Sequence, residues 1–345
     1  MKLLIRAPNH LGDCVMALPM INEAREAYPG ANITVLVPQS LAGLFNPNPA
    51  IDNVIGILRE HVHGLIGVMK IKELIGPYHF DIGYILPPSF GSAAGFKLAG
   101  VKKRIGYISD GRRLLLTKPL ALPSPLNETH RSKLYFDLLQ RGANVELEFV
   151  HPKLFLNDDD INKGNQLLEN FGLNPTEEYA VVAFQAVAES RRWGISNYIN
   201  LIKHIIANYG FKIILSGTEE DKKDGDEISA ETGAKQIRNL AGKTGIRELA
   251  AILSQAKFFV GNDSGAAHLA AAVGTPIVVL SGADNPKSTS PMATSKRLLY
   301  LKNLDCISCV KNKCPLKGQK YMQCMTGISI DMVMSEIDAL IKTIN

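Results

Sequence analysis

The chain has 345 residues, of which 46% are hydrophobic and 21% charged, and its formal net charge is +5. This length predicts two domains of roughly 150–180 residues each, and the ordinary composition excludes wholesale disorder. The small positive excess excludes a strongly basic nucleic-acid-binding protein, but it suits an anionic substrate or an anionic membrane surface.

The first part of the chain repeats a strand–helix–strand rhythm. An aliphatic run at 2–7 precedes a polar turn and a helical pattern that ends at Pro29-Gly30. Strands are expected at 33–37, 53–58 and 82–86, a helix end leading into a strand at 97–106, a surface loop at 117–128 and a helix at 129–142. This order predicts a parallel sheet covered by helices.

The same rhythm begins again after a junction at about 151–178, which contains a helix at 159–171. Strands are expected at 179–184, 211–216, 257–261 and 276–280, and helices at 196–209, 219–232, 266–273 and 331–344, with Ser196 and Thr244 as N-caps. Neither half contains the dinucleotide fingerprint G-x-G-x-x-G or a phosphate-binding G-x-x-x-x-G-K-[ST] motif, which disfavours a nicotinamide or flavin enzyme.

The predicted fold class is therefore α/β, with an N-terminal domain at 1–170, a second domain at 171–330 and a terminal helix at 331–345. Packing of this helix back toward the N-terminal domain is one option. Ligands of open α/β sheets bind beyond the carboxyl ends of the strands. Two such sheets facing each other would place a ligand in a cleft between the domains.

No targeting or membrane-spanning segment is apparent in the sequence. The apolar residues near the N-terminus are interrupted by four polar or charged residues, Arg6, Asn9, His10 and Asp13, so the apolar core of a signal peptide is missing. No run approaches the roughly 18 apolar residues of a transmembrane helix. We expect a cytoplasmic protein, with peripheral contact to the inner membrane as an option.

The strongest local signal lies at 258–276, where an apolar strand gives way to a small polar turn and an alanine-rich helix. Ser264, Gly265 and Ala266 contribute free backbone N–H groups at the helix start, and their small side chains allow close approach of an anion. The helix dipole adds about 0.3–1 kcal/mol. From the residues alone, an ordinary connection in which Asp263 and Ser264 act as caps is equally open.

This segment resembles glycosyltransferase family 9. Asp263-Ser264-Gly265, with His268 and the later Gly-Thr-Pro, is similar to the family signature, and the opening stretch from Arg6 to Asp13 is similar to the family's N-terminal motif. The resemblance extends over essentially the whole chain. It implies the GT-B fold, in which two Rossmann-like doubly wound domains face a central cleft, and the activity of the ADP-heptose lipopolysaccharide heptosyltransferases. The Asn-Asp-Ser-Gly sequence and the Cys-containing C-terminal segment favour the branch that adds heptose to heptose.

The resemblance implies an inverting reaction, in which an acceptor hydroxyl displaces the nucleoside diphosphate in one step. Asp13 occupies the position of the general base, and a positioned base contributes about 10²–10⁴ in rate. The alternative for Asp13 is a favourable charge at the positive end of the first helix.

The resemblance assigns binding of the donor, ADP-heptose, to the second domain. Arg191 stands where the family usually has Lys, and Ala183-Phe184-Gln185 replaces its usual Pro-Gly-Ala. A guanidinium group can still bind phosphate, and bidentately, although a solvated charged loop is the alternative. Amides and guanidinium groups around the diphosphate remove the need for a metal ion, and no cofactor is expected. The expected donor-binding residues are Arg191, Arg192, Asp263, Ser264, Gly265, Ala266 and His268.

Basic residues are dense in the N-terminal domain between positions 102 and 133. The implied acceptor, a phosphorylated lipopolysaccharide core sugar on a lipid, is anionic, so a basic face would attract both it and the membrane surface. Each of these residues can equally belong to an ordinary solvated surface. The expected acceptor-binding residues are Asn9, Gly12, Arg104, Arg112 and Arg113. No nucleic-acid partner is expected.

Four of the five cysteines form the pattern Cys306-x2-Cys309-x4-Cys314-x9-Cys324. Four thiolates can hold zinc tetrahedrally, yet the segment has no knuckle glycine beyond Gly318. Free or structural thiols are therefore favoured over structural zinc and over disulfides, which a reducing cytoplasm disfavours. No metal site is assigned.

Three other functions stay open. A nucleotide-sugar 2-epimerase of the same fold would need additional acid/base residues that the sequence does not show. A metal or redox binding protein built on the cysteines is the second. A catalytically inactive binding module is the third.

Overall fold

The computed structural model describes residues 1–62, 64–233 and 235–344. The chain divides into two compact units, Met1–Phe155 and Leu156–Asn345. The expected boundary at 170/171 is placed too late. Helix α6 (Asp158–Asn170) packs on α9 (Ile246–Gln255) and so belongs to the second unit.

The first unit contains a six-stranded parallel sheet in the order β3-β2-β1-β4-β5-β6. Its register places Leu4 of β1 beside Thr34 of β2 and Gly83 of β4. The strands are β1 (Lys2–Arg6), β2 (Asn32–Pro38), β3 (Asn53–Ile57), β4 (Ile82–Ile85), β5 (Lys103–Tyr107) and β6 (Lys118–Leu120). The helices are α1 (Leu11–Asn22), α2 (Ala24–Ala27), α3 (Gly64–Ile75), α4 (Phe90–Leu98) and α5 (Arg131–Ala143).

Helices cover both faces of this sheet. Helix α1 packs on α5, while α3 packs on α4. Because strand crossovers are right-handed, α1, which leads from β1 outward to β2, and α4, which leads from β4 outward to β5, lie on opposite faces. Buried aliphatic and aromatic side chains of α3 and α4, including Ile71, Ile75 and Phe96, pack against Leu4 and Ile85 of the sheet.

The second unit contains a parallel sheet in the order β12-β11-β10-β7-β8-β9. Its strands are β7 (Tyr179–Ala183), β8 (Lys212–Leu215), β9 (Ile237–Asn239), β10 (Phe258–Asn262), β11 (Ile277–Leu280) and β12 (Lys296–Leu299). Besides α6 and α9, its helices are α7 (Ile195–Tyr209), α8 (Lys222–Thr232), α10 (Gly265–Ala272), α11 (Pro286–Thr289), α12 (Gln323–Thr326) and α13 (Ile330–Ile344).

The terminal helix α13 contributes to the core of the second unit. It packs on α7, β11 and β12, and its buried side chains are Val333, Met334, Ile337, Leu340 and Ile341. Trp193 belongs to the same core, with 2% of its surface exposed and its indole N–H donating to the Ile328 carbonyl over 2.8 Å.

The two sheets have the same topology. Numbered within its own unit, each has the strand order 3-2-1-4-5-6 of a doubly wound fold. The winding direction reverses between β1 and β4 in the first unit and between β7 and β10 in the second. Ligands of such sheets bind at these switch points, beyond the carboxyl ends of the strands.

The strands and helices expected from the sequence are confirmed except at several ends and edges. Helices α7 and α9 begin after Gly194 and Gly245, so the expected caps Ser196 and Thr244 are wrong. Gly194 has φ 101°, a conformation that glycine adopts most easily. The expected loop at 117–128 contains edge strand β6, and the sequence patterns missed α3, β9 and β12. None of the helices in the described part of the chain combines the length and the apolar composition that a transmembrane span requires.

Candidate active site

The switch point of the first unit carries a carboxylate. Asp13 lies in the first turn of α1, beyond the carboxyl end of β1, and 20% of its side chain is exposed. Its Oδ1 accepts a hydrogen bond from Nη1 of Arg131, at the start of α5, over 2.8 Å. An aspartate here also lies near the positive end of the helix. The pair holds a partly exposed carboxylate at the ligand-binding edge of the sheet.

The turn before Asp13 is fixed from beneath by a buried arginine. Arg6 is 1% exposed, and its guanidinium group donates to the carbonyls of Ala7 and Leu36 and, over 2.5 Å, to Oδ1 of Asn9. Burial lowers the pKa of Arg6 to about 10. The buried thiol of Cys14 donates to the Pro8 carbonyl over 3.2 Å, and burial raises its pKa. Asn9 thus lies in a firmly held turn, and Gly12 lies in the first turn of α1 beside Asp13.

Two of the arginines expected to bind the acceptor have structural partners. Arg112 is 1% exposed and donates to the carbonyls of Tyr107, Pro87 and Ile85, and burial lowers its pKa to about 10. Its guanidinium group cannot reach a surface ligand, so the prediction of acceptor binding by Arg112 is wrong. The sequence shows a charged residue in a loop, but only the fold shows that it is buried.

Arg104 is also placed away from the switch point. It lies near the amino end of β5, and its guanidinium group donates to the carbonyls of Leu115 (2.7 Å) and Val101 (2.6 Å). Partial burial lowers its pKa. The structure does not bring it to the edge that carries Asp13. Arg113, in the 3₁₀ turn Arg112–Leu115 after the carboxyl end of β5, is exposed at that edge.

The switch point of the second unit carries the start of α10. Ser264 is the N-cap residue, with an extended backbone, and its side chain makes no capping hydrogen bond. Its Oγ is buried and has no hydrogen-bond partner among the described residues. Ser264, Gly265 and Ala266 are partly exposed, so the first helical N–H groups lie at an accessible surface. This is the geometry of an anion site.

Asp263, just before this helix, is buried. It is 4% exposed, accepts a hydrogen bond from Ser281 Oγ over 3.1 Å, and has Nε2 of His268 at 3.9 Å from its Oδ1. Burial, with a smaller contribution from the nearby charge of Asp284, raises the pKa of Asp263 to about 7. A carboxyl group held partly protonated beside an anion site repels a diphosphate less than a carboxylate would.

Arg191 lies in the loop after β7 and pairs with Asp284 in the loop after β11. Its Nε is 2.6 Å from Oδ2 of Asp284, and 30% of its side chain is exposed. Its charge also acts on Asp263 by lowering the carboxyl pKa against the effect of burial. Arg192 is exposed and donates to the Ala186 carbonyl over 2.8 Å. The structure therefore brings Arg191, rather than its neighbour, toward Asp263.

Several side chains of this arrangement were missed in the sequence. Ser281 and Asp284 follow β11, and half-buried Lys296 begins β12. The side chain of Asn262, at the end of β10, links this strand to the segment after β7. It donates to the Phe184 carbonyl over 3.0 Å and accepts from the backbone N–H of Trp193 over 3.2 Å. The signal that identified 263–265, an apolar strand followed by small polar residues, recurs at 281–284 and could have identified Asp284.

The four clustered cysteines line one cavity of about 230 Å³. All are free thiols, and burial together with the other three cysteines raises the pKa of Cys324 to about 11. Among the described residues, no group of three or more His, Cys, Asp or Glu side chains is arranged to hold a metal ion. A Cβ at Gly282 would lie 3.0 Å from the Cys324 sulfur. The cluster therefore packs against the loop that carries Asp284.

Two doubly wound α/β units, one with a carboxylate and one with an accessible helix start at its switch point, are the architecture of GT-B transferases. The sequence profile of glycosyltransferase family 9 (heptosyltransferase) matches residues 68–320. The chain belongs to this family of transferases.

Known relatives match over nearly the whole chain. Lipopolysaccharide heptosyltransferase 2 of Escherichia coli K12 is 27% identical, with 99% of each chain covered. The solved structure of E. coli ADP-heptose lps heptosyltransferase II is 25% identical, with a TM-score of 0.82 and 99% of each chain covered. The crystal structure of a family 9 glycosyltransferase from Veillonella parvula has a TM-score of 0.85 at 20% identity, and the match covers 99% of this chain and 97% of the Veillonella chain.

Proposed function

We propose that the protein transfers heptose from ADP-heptose to a sugar hydroxyl of the lipopolysaccharide inner core, with inversion at the anomeric carbon. The observation that carries this proposal is the accessible start of α10, with Arg191 beside it, in a member of the heptosyltransferase family. The full-length similarity to proteins named heptosyltransferase 2 supports the choice of sugar and acceptor.

The second unit binds the donor in this proposal. The diphosphate lies on the N–H groups of Ser264, Gly265 and Ala266, and Arg191 neutralises the charge that develops on the leaving phosphate. Such groups stabilise the leaving group more as the bond breaks, because its charge grows toward the transition state. Arg192 contributes positive charge near the loop, and Asp263 and His268 contact the donor from beneath the helix start.

In the first unit, Asp13 acts as general base. The acceptor oxygen attacks the anomeric carbon, its proton passes to the Asp13 carboxylate, and the bond from the anomeric carbon to the ADP oxygen breaks. Arg131, 2.8 Å from the Asp13 carboxylate, fixes the orientation of that group. Asn9 and Gly12 shape the turn against which the acceptor sugar rests, and Arg113 attracts acceptor phosphate.

The acceptor is lipid-linked, so the proposal includes peripheral contact with the inner membrane from the cytoplasmic side. It requires no metal ion and no cofactor, because backbone amides and Arg191 take the role that a divalent cation has in other transferases. Transfer should therefore persist after treatment with EDTA.

The test is a transfer assay with purified protein. ADP-heptose is compared with ADP-glucose and UDP-glucose, on truncated lipopolysaccharide acceptors that carry no heptose or one heptose. A mass increase of one heptose, from ADP-heptose only and on the one-heptose acceptor, is expected, and the linkage is read by NMR. Conversion of a nucleotide sugar without acceptor would instead identify an epimerase, and binding of ADP without any product would indicate an inactive binding module.

A further inference from the structure

Helix α3 of the first unit is apolar on two sides. Gly67, Val68, Ile71 and Ile75 are buried, as expected for a helix on a sheet. The opposite side would normally carry polar residues. Instead it exposes 77% of Leu65, 67% of Ile66 and 50% of Met69.

The exposed apolar surface continues onto the elements that contact α3 and α4. Leu58 precedes the 3₁₀ turn Arg59–His61, which contacts α3, and Leu114 lies in the 3₁₀ turn that contacts α4. Right-handed crossovers place α3, α4 and the later turn on one face of the sheet. We name this surface the α3–α4 face; its exposed apolar residues are Leu58, Leu65, Ile66, Met69, Phe90, Leu98 and Leu114.

The same stretch of chain is rich in basic residues. Residues 58–118 contain ten Lys or Arg and four Asp or Glu, a formal net charge of +6. Arg112 is buried, and Lys70 and Lys102 are paired with carboxylates, so the remaining exposed basic residues supply the charge of this surface. Exposed Lys97 and Arg113 directly precede exposed Leu98 and Leu114, and exposed Lys72 lies on α3. Exposed aliphatic side chains mixed with Lys and Arg match a surface of apolar chains beneath anionic headgroups.

A hollow of about 470 Å³ opens between the carboxyl halves of α3 and α4, and its lining includes Met69, Leu98, Lys72 and Glu73. The carboxylate of Glu73 is paired with Lys70 over 2.7 Å, which leaves the ammonium group of Lys72 as the positive charge of the hollow. An aliphatic wall next to an ammonium group suits a lipid, whose chain is apolar and whose headgroup is negative. A protein partner would need complementary acidic residues, whereas an anionic bilayer supplies both properties at once.

We propose that the α3–α4 face docks on an anionic lipid bilayer, with Leu65, Ile66 and Leu114 entering the interface and the basic residues contacting headgroups. The purpose of this contact rests on the proposed function. Leu58, the start of α3, Phe90 and Leu114 follow the carboxyl ends of β3, β4 and β5, the sheet edge that also carries Asp13. Docking therefore holds the base near the surface from which a lipid-anchored acceptor projects.

Vesicle flotation of the full chain tests the docking without any activity. Wild-type protein should bind vesicles of phosphatidylcholine with phosphatidylglycerol, bind pure phosphatidylcholine about tenfold or more weakly, and dissociate in high salt. The double variant Leu65→Ser/Ile66→Ser should lose about tenfold or more in partitioning. Met332→Ser, an exposed apolar residue on α13, is the matched control and should bind as wild type.

Thermal unfolding of the double variant should match wild type, since both side chains are exposed. The proposal is overturned if wild-type protein does not bind anionic vesicles, if it binds neutral vesicles equally well, or if the double variant binds as wild type does. Ultracentrifugation tests the alternative that the face binds a second copy of the chain. A concentration-dependent dimer that is lost in the double variant, without any vesicle binding, would assign the face to that second copy.

An activity readout separates this inference from the proposed function. With a deacylated, water-soluble acceptor the double variant should transfer at the wild-type rate, whereas with acceptor embedded in anionic vesicles its rate should fall about tenfold. Equal rates on both acceptors contradict the docking role. Failure of wild-type protein to transfer heptose to either acceptor contradicts the proposed function and leaves vesicle binding as a separate result.

Discussion

The two units of this protein have the same sheet order, yet they place an aspartate in opposite environments at their switch points. Asp13 in the first unit is partly exposed and paired with Arg131. Asp263 in the second is buried, and its pKa is raised to about 7. A shared topology provides the position, while burial and neighbouring charges decide which chemistry a carboxyl group can perform there.

The difference fits the two halves of a displacement reaction. In the proposed mechanism the base must be accessible to the acceptor hydroxyl, and the partly exposed carboxylate of Asp13 meets this requirement. The mechanism also requires that a group beside the leaving diphosphate add little negative charge, and the raised pKa of Asp263 is compatible with this requirement. The first unit also carries the exposed apolar and basic α3–α4 face.

The largest expected effect is that of Asp13→Asn. The variant keeps the shape of the side chain but cannot accept the proton, so kcat should fall by about 10²–10⁴ while ADP affinity stays within about twofold. Asp137→Asn, which removes another aspartate paired with an arginine in the first unit, is the matched control. Steady-state transfer kinetics and calorimetric ADP titration measure the two properties. Retention of full activity by Asp13→Asn would remove Asp13 from the mechanism.

The second prediction concerns pH and Asp263. Its pKa is higher in the folded state than the ordinary value of 3.8, so the stability that the protonated group provides is complete below about pH 4 and is lost as the pH rises through about 7. Wild-type protein should therefore lose up to about 4 kcal/mol of unfolding free energy relative to Asp263→Asn between pH 4 and pH 8. Denaturant unfolding at several pH values measures this. Parallel pH curves for the two proteins would show that Asp263 titrates normally.

Arg191→Ala should weaken ADP binding by roughly 10- to 100-fold, because a hydrogen bond to a charged group contributes about 1.5–3 kcal/mol. The ADP affinity of Arg191→Lys should lie between those of Arg191→Ala and wild type, because a lysine keeps the positive charge but loses the bidentate geometry. Arg297→Ala, which removes a partly exposed arginine near Glu336 in the same unit, is the control. Calorimetric titration with ADP would contradict the assignment if both alanine variants bound ADP equally well.

Arg131→Ala is expected to have the smallest effect. The pair with Asp13 is partly exposed, and such pairs contribute about 0–1 kcal/mol, so the transfer rate should fall by about fivefold at most. The matched control is Arg141→Ala, whose ion pair with Asp137 lies on the same helix. The kcat should fall in Arg131→Ala and not in Arg141→Ala, with the KM for ADP-heptose unchanged in both. An unchanged kcat in Arg131→Ala would show that Arg131 does not position the base.

The sequence alone determined the central elements and the local site. The long apolar strands β1, β2, β7 and β10 could be read from their composition, because each is buried on both faces and therefore almost wholly apolar. The small residues at 264–266 indicated an accessible helix start, since such a start needs no distant partner to present its N–H groups.

The tertiary structure decided what depends on distant parts of the chain. The edge strands β6, β9 and β12 are short and mixed in composition, so only pairing with a neighbour defines them. Arg112 and Arg113 are adjacent residues of the same type. Nevertheless, the guanidinium group of Arg112 is buried among carbonyls, whereas Arg113 is exposed. The pairing of Arg191 with Asp284 joins loops 93 positions apart. Burial and such long-range pairing arise only when the sheets assemble, which is why a local pattern could not reveal them.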